Sequence, residues 1–415
     1  MSDTFQYFVG IDWATESHKV CVLNSQRDLI AERVVEHSGA GLAQFVAWLL
    51  EITRKAPYSV AVAIEVPRGA VVESLLEQNF RVFAINPKQL DRFRDRHTVA
   101  GAKDDSRDAF VLADSLRTDL PLFKPLRIED PAILHLRELS RLDDDLRQDY
   151  NRVLNQFREQ LGRFYPQLLS LSPGSDEPWL WDLFEMAPLP EVGGTLALSR
   201  LQKLLSRHRI RRLKAEQVRD ALCSAGFHLA PGAAPAISQR ALLLLTRLRL
   251  VHDQRTTVAK RIEAVLEEMA SADPQSSREH PDVTLLLSLP GIGRVNAATM
   301  LAEASQALAE RDYHALRTYA GIAPVTRQSG KKCSVIMRQA CNGRLRHALY
   351  HWARVSSQFD PRSREHYQRL RKTGHSHGRA LRGDADRLLA VLIAILNTGV
   401  PFDPQRRVQQ QPVVA

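Results

Sequence analysis

The stretch YFVGIDWATESHKVCVLN, residues 7–24, sets an aspartate inside an apolar run. Phe8, Val9, Gly10 and Ile11 read as a strand entering a core, and Asp12 follows directly. A short polar turn leads into Lys19-Val20-Cys21-Val22-Leu23, a second strand. Two readings fit Asp12: it opens the turn, or it carries a carboxylate into a site that needs several. Working outward, LIAERVVEH is a third strand, and GLAQFVAWLLEITRKA sets Leu42, Phe45, Val46, Leu49 and Leu50 on one helical face. YSVAVAIEVP is a buried strand ended by Pro67, AVVESLLEQ a helix, RVFAIN a strand, and DSRDAFVLADSLR a last helix. Three strands and then β-α-β-α predict a mixed sheet flanked by helices.

The second acid closes another apolar strand: Glu65 ends VAVAIE. Asp105 and Asp108 stand three residues apart, hence on one helical face. Each has a plain alternative as a turn residue, a strand-end acid or a helix cap. Brought together, they repel by about 1 kcal/mol per pair at ~4 Å in water and about 4 kcal/mol at a surface-like effective dielectric. Such a cluster is suited to hard cations, and Mg²⁺ takes oxygen ligands while leaving room for phosphate oxygens.

Bulk properties agree with a polyanionic partner. The 415 residues carry a formal net charge of +10, which attracts phosphates and releases their counterions. The length predicts two or three domains. Cys21, Cys223, Cys333 and Cys341 form no CxxC pair, which argues against a zinc site or a disulfide framework and fits a reducing, cytoplasmic setting. The N-terminal residues carry no secretory pattern, and LLAVLIAILNTGV is too short to span a bilayer. The expected organisation is a catalytic domain at 5–125, paired long helices over 131–272 with an inserted segment at 172–237, a C-terminal domain at 280–403 and a frayed tail at 404–415.

Pro131 and Pro166 bracket a long helix whose stripe runs Ile133, Leu136, Leu139, Leu142, Leu146, Val153, Phe157, Leu161 and Phe164. Residues 241–269 offer a matching stripe, so a helical hairpin, a coiled coil or a dimer contact is expected. The segment 172–237 reads as irregular, with a basic knot RHRIRRLK at 207–214 that is either a solvated basic helix or an RNA contact.

LLLSLPGIGRVNAATMLAEA (285–304) resembles a helix–hairpin–helix element. Gly291 and Gly293 let backbone N–H groups face a phosphate, and Arg294 adds charge. Such an element reads backbone, not sequence. Downstream, Ser329 precedes Gly330 in a short polar loop with Arg327, Lys331, Lys332 and Arg338 around it. The serine is either a turn residue or a nucleophile beside cations that stabilise a phosphorane. His314 and His347 are not adjacent in sequence, and the local residues leave the base open.

The segments GIDWATESHKVCVL, AIEVP, INPKQLDRFR…AKDDSRDAFVLAD, LPGIGRVNAATMLAE, YAGIAPVTRQSGKK and NGRLRHALYHWA, in that order, resemble the DEDD transposases of bacterial insertion sequences, the bridge-RNA-guided recombinases. The likeness covers most of 5–120 and 283–360. It implies a RuvC-like, RNase H-like N-terminal domain with an acidic tetrad at Asp12, Glu65, Asp105 and Asp108. It also implies a transposase domain with Ser329 as nucleophile. A guide RNA pairing with donor and target DNA is implied, as is a homo-oligomer, dimer or tetramer, whose sites combine the acids of one subunit with the serine of another. A covalent protein–DNA intermediate follows from the same likeness. Where the family has Lys-Thr-Asp, this chain has Lys103-Asp104-Asp105, so Asp104 stands as a substitute for Asp105. Two alternatives remain at this level: a metal-dependent, Holliday-junction-type nuclease using activated water, and a non-enzymatic nucleic-acid-binding protein.

Overall fold

The computed structural model describes residues 5–54, 56–97, 105–127, 130–271, 281–330 and 332–404. They divide into two compact units, Met1–Asp130 and Pro131–Ala415. Three domains were expected, but the helices from 131 onward and the C-terminal segment share one continuous core.

In the first unit, β1 (Tyr7–Asp12), β2 (Ser17–Asn24), β3 (Leu29–Glu36), β4 (Val60–Ile64) and β5 (Arg81–Ala84) form one sheet in the order β3-β2-β1-β4-β5. β1 to β3 pair antiparallel, whereas β4 and β5 run parallel to β1. This mixed sheet is consistent with an RNase H-like fold. The helices are α1 (Gly39–Ile52), α2 (Ala70–Glu77), α3 (Pro87–His97) and α4 (Asp105–Asp119). β4 is buried along its whole length because helices cover both faces of a central parallel strand. β3, at the edge, alternates toward solvent and carries Glu32, Arg33 and Glu36, which discourage edge pairing. Helix α3 was not expected: its run is mostly charged, and only Leu90 and Phe93 reach the core.

The sheet's two faces separate cleanly. Val9, Ile11, Val62 and Ile64 pack with residues of α1 and α2. Phe8, Ala61 and Ala63 pack with Val111, Leu112 and Leu116 of α4. Gly10 lets α4 approach closely, since a Cβ there would lie 1.9 Å from the Ala109 carbonyl oxygen and 2.6 Å from the Ala113 nitrogen.

The second unit is built on α5 (Pro131–Phe164). Short helices α6 (Pro166–Leu171), α7 (Pro178–Met186), α8 (Pro190–Gly194), α9 (Leu198–Arg207) and α10 (Ala215–Cys223) follow, and then α11 (Ala233–Ala270). Ile133 and Leu136 share a core with Ile262, Leu266 and Met269, while Val153, Phe157 and Leu161 share another with Ala241, Leu245 and Leu248. The start of α5 thus meets the end of α11, making an antiparallel hairpin within one chain. Leu142, placed on the seam by its spacing, is 45% exposed instead.

The segment 172–237 is not an irregular insertion. Trp179, Trp181, Phe184, Leu201 and Val218 join the same core as α5 and α11. Prolines at the first turn of α6, α7 and α8 start these helices where no N–H is missed, and their shortness hid the period. The basic knot 207–214 is a turn, not a helix. Arg209 takes φ +55°, Arg212 pairs with Glu177 at 2.6 Å, and His208 meets Asp182 at 2.7 Å.

The remainder comprises α12 (Pro281–Leu287), α13 (Arg294–Glu303), α14 (Ser305–Ala309), α15 (Tyr313–Tyr319), β6 (Val325–Ser329), β7 (Lys332–Ile336), α16 (Gly343–Phe359), α17 (Pro361–Lys372) and α18 (His377–Thr398). No helix among the described residues is long and apolar enough to cross a membrane. The tail from 405 onward lies outside the described residues.

Candidate catalytic site

Two of the sequence-predicted acids come from neighbouring strands. Ile11 of β1 is in register with Ile64 of β4 in a parallel pair, so Asp12 and Glu65 follow side by side, one strand spacing of about 4.8 Å apart. Alternation puts Asp12 on the face of Phe8 and Gly10, and Glu65 on that of Ala61 and Ala63. That is the face covered by α4. Asp108 precedes Ala109, the residue whose carbonyl oxygen lies over Gly10, and is 3% exposed. The backbone therefore brings Asp12, Glu65 and the first turn of α4 to one end of the sheet.

The side chains do not close into a ready cluster: no group of three or more His, Cys, Asp or Glu among the described residues could hold a metal ion. Converged carboxylates without a counter-cation repel, which opposes such closure. Asp105 lies on α4, one helical turn before Asp108, but its side chain is outside the described residues, as are Lys103 and Asp104. The donor set is all carboxylate oxygen and fits a hard divalent cation. Asp114, further along α4 and also buried, is ion-paired with Arg117 at 2.7 Å and Arg27 at 3.5 Å, so it has a structural task.

The turn after Asp12 is pinned by residues the sequence reading passed over. The Ala14 amide donates to His18 Nδ1 at 3.4 Å, and His18 Nε2 lies 2.9 Å from His37 Nδ1. With Nδ1 accepting, the neutral ring carries its proton on Nε2 and donates to His37. Burial, and then His37, pushes the His18 pKa down, which favours that neutral form. Trp13 stacks on His18 with ring centroids 6.2 Å apart. The sequence signal was a histidine at the start of an apolar strand, beside a tryptophan that follows an acid.

Ser329 stands at the tip of a β-ribbon, not in a loop. It is in register with Lys332 across a two-residue turn in which Gly330 takes φ +55°. Lys331 lies outside the described residues. Ser329, Arg327 and Lys332 are exposed, as is most of the ribbon. Strands without a buried face leave no alternating apolar pattern to read, which is why this element was missed. The other predicted contacts hold protein. Arg338 donates to the Ala323 carbonyl at 3.3 Å, and Arg294 pairs with Glu263 and, at 3.0 Å, with Glu267.

The Pro290–Gly293 turn is bolted to α16. The Pro290 carbonyl accepts from Trp352 Nε1 at 2.9 Å and from Ser356 Oγ at 2.7 Å. At Gly291, φ is +75° and a Cβ would meet the Ser356 nitrogen at 2.8 Å, so this glycine serves packing. Gly293, at φ +59°, faces open space before the first turn of α13.

An acid-bearing mixed sheet with a separate helical unit defines a class of polynucleotide-processing enzyme, and comparison with known proteins narrows it. Residues 9–166 match a transposase family of the IS110 DEDD type, and residues 283–368 match the transposase IS116/IS110/IS902 family. The chain is 34% identical over 412 residues to a Streptomyces coelicolor protein named "Mini-circle putative transposase for IS117", covering 97% of each. It is 48% identical over 216 residues to "Putative transposase y4uE" of Sinorhizobium fredii, a match spanning 52% of this chain and 60% of that protein. An insertion element IS900 protein of Mycobacterium paratuberculosis is 25% identical over 412 residues, 96% of this chain and 97% of that one. The chain belongs to the IS110/IS116 family of DEDD transposases, and its enzyme class is that of a DNA transposase.

Proposed function

We propose that the chain cuts and rejoins DNA strands through Asp12, Glu65, Asp105 and Asp108 in the first unit and Ser329 in the second. The observation that carries this reading is the side-by-side placement of Asp12 and Glu65 at parallel strand ends beneath the first turn of α4. The four carboxylates would hold Mg²⁺, which when bound supplies charge neutralisation at the scissile phosphate. Ser329 Oγ attacks phosphorus, a serine–phosphate ester forms, and the leaving strand departs as a hydroxyl that takes up a proton. Arg327 and Lys332, exposed on the same ribbon, stabilise the charge gathering on the phosphoryl oxygens. Gly293, at the open start of α13, tracks the DNA backbone. Guidance by an element-encoded RNA and assembly as a homo-oligomer, with acids and serine supplied by different subunits, complete the reading.

Ser329→Ala should retain DNA binding and lose any protein-linked DNA on a cleavable substrate, read by a denaturing gel. An adduct that persists in this variant overturns the role of Ser329. Free 5′-phosphate ends with no adduct in the unmodified protein would favour a water-using nuclease. Sequencing RNA that copurifies with the protein tests the guidance step: no structured transcript would sink it.

A further inference from the structure

A cleft of about 530 Å³ opens in the second unit between α5, α11, α13 and α16. It draws on none of the tetrad acids or ribbon residues. Ser140, Asp143, Arg147, Arg255, Arg344 and His347 are among its walls. Ser140 is 3% exposed, and its Oγ has no hydrogen-bond partner. The buried Nε atoms of Arg255 and Arg344 have none either. Their nearest carboxylates, on Asp143 at 3.7 Å and Asp144 at 3.5 Å, are too far for good hydrogen bonds. Three donors lacking acceptors thus line one cavity. Each such group costs about 1–3 kcal/mol while unmet, and a guanidinium has no acceptor face to offer in return.

The charge balance favours an anion. Arg147, Arg255 and Arg344 face Asp143 and Asp144, and Arg147 already holds Asp144 at 2.6 Å. Burial, and then neighbouring cations, holds His347 and His351 below the ordinary histidine range. They therefore add N–H groups without adding charge near neutrality. Guanidiniums match the oxygens of phosphate in plane and spacing. A volume of this size also admits a sugar attached to the phosphate.

We propose that this cleft binds a phosphate group, held by Ser140 Oγ and the Nε–H groups of Arg255 and Arg344. The phosphate belongs either to a free nucleotide or to a nucleic-acid chain. The experiment is calorimetric titration of the full chain with inorganic phosphate, for the unmodified protein and for Ser140→Ala and Arg255→Gln. Binding is expected in the unmodified protein, with at least a tenfold loss in each variant, since one charge-assisted hydrogen bond is worth about that factor. Ser140→Ala removes a small neutral group and keeps the fold, which its melting temperature verifies. Competition by a 5′-mononucleotide alone assigns the site to a free nucleotide, and competition by a short oligonucleotide assigns it to a chain. Undetectable phosphate binding, or binding unchanged in both variants, overturns the proposal. No part of this test depends on Ser329 or the tetrad, so it stands or falls apart from the strand-exchange chemistry.

Discussion

At the scale of single residues, Gly10 and Asp108 act as a pair. Gly10 is glycine because α4 presses its backbone against β1, and that pressure sets where Asp108 lies relative to Asp12. A methyl group at this position forces helix and strand apart. Gly10→Ala should cost about 1–3 kcal/mol of stability, the usual price of overpacking, and should lower strand cleavage more than it lowers the melting temperature. Thermal unfolding and a cleavage assay on the same preparation check this, and full activity in a stable variant would contradict it. Asp12, Glu65 and Asp108 were legible in the sequence because each breaks an apolar or amphipathic pattern that otherwise predicts burial. His18 and His37 were not, because their partnership joins two strands and no local spacing records it. The protein roles of Arg294 and Arg338 were equally hidden, since an arginine's partner is fixed by tertiary packing.

At the scale of elements, the junction of α5, α13 and α16 rests on Glu303. Burial pushes its carboxyl up, but hydrogen bonds from Arg141 and Asn342 outweigh that and leave its pKa lowered. Arg141 meets it at 2.8 Å and Asn342 at 2.7 Å. A lowered folded pKa gives stability that is present above the ordinary value of 4.5 and lost as pH falls through the folded pKa. Glu303→Gln should therefore destabilise by about 2–3 kcal/mol at pH 7, with the gap to the unmodified protein narrowing below pH 4.5, read by denaturant titration across pH. Asp384 on α18 has the opposite sign. Burial raises its carboxyl to about 6, and its Oδ2 has no partner. Its contribution is full below 3.8 and lost as pH rises through about 6. Asp384→Asn should gain on the unmodified protein between pH 4 and 7, by at most about 3 kcal/mol. A gain that shrinks as pH rises would contradict the burial argument. The long helices and most of the first unit's sheet and helices followed from period and punctuation. The helices of 172–237 did not, because turns of five to ten residues give too few repeats to show a face.

At the scale of the whole molecule, the two units carry separate cores. Every residue of the second unit's two clusters lies beyond Asp130. Residues 131–404 expressed alone should keep helical circular dichroism and a single cooperative thermal transition, and a non-cooperative melt would show that their core is incomplete. The net charge of +10 predicts binding to DNA that weakens steeply with salt, by at least about tenfold between 50 and 200 mM, measured by anisotropy. The division of chemistry across two units was partly visible, since acids and serine lie more than two hundred residues apart. How the hairpin of α5 and α11 fuses the long helices to the C-terminal fold was not visible, because no local pattern encodes which stripe meets which. The β6–β7 ribbon bears on control. Two strands on their own are marginal in water, so this one has little of its own to stiffen it. If Ser329 is the nucleophile, its aim comes from whatever grips the ribbon, and a polymer met in passing would find no attacking group in line.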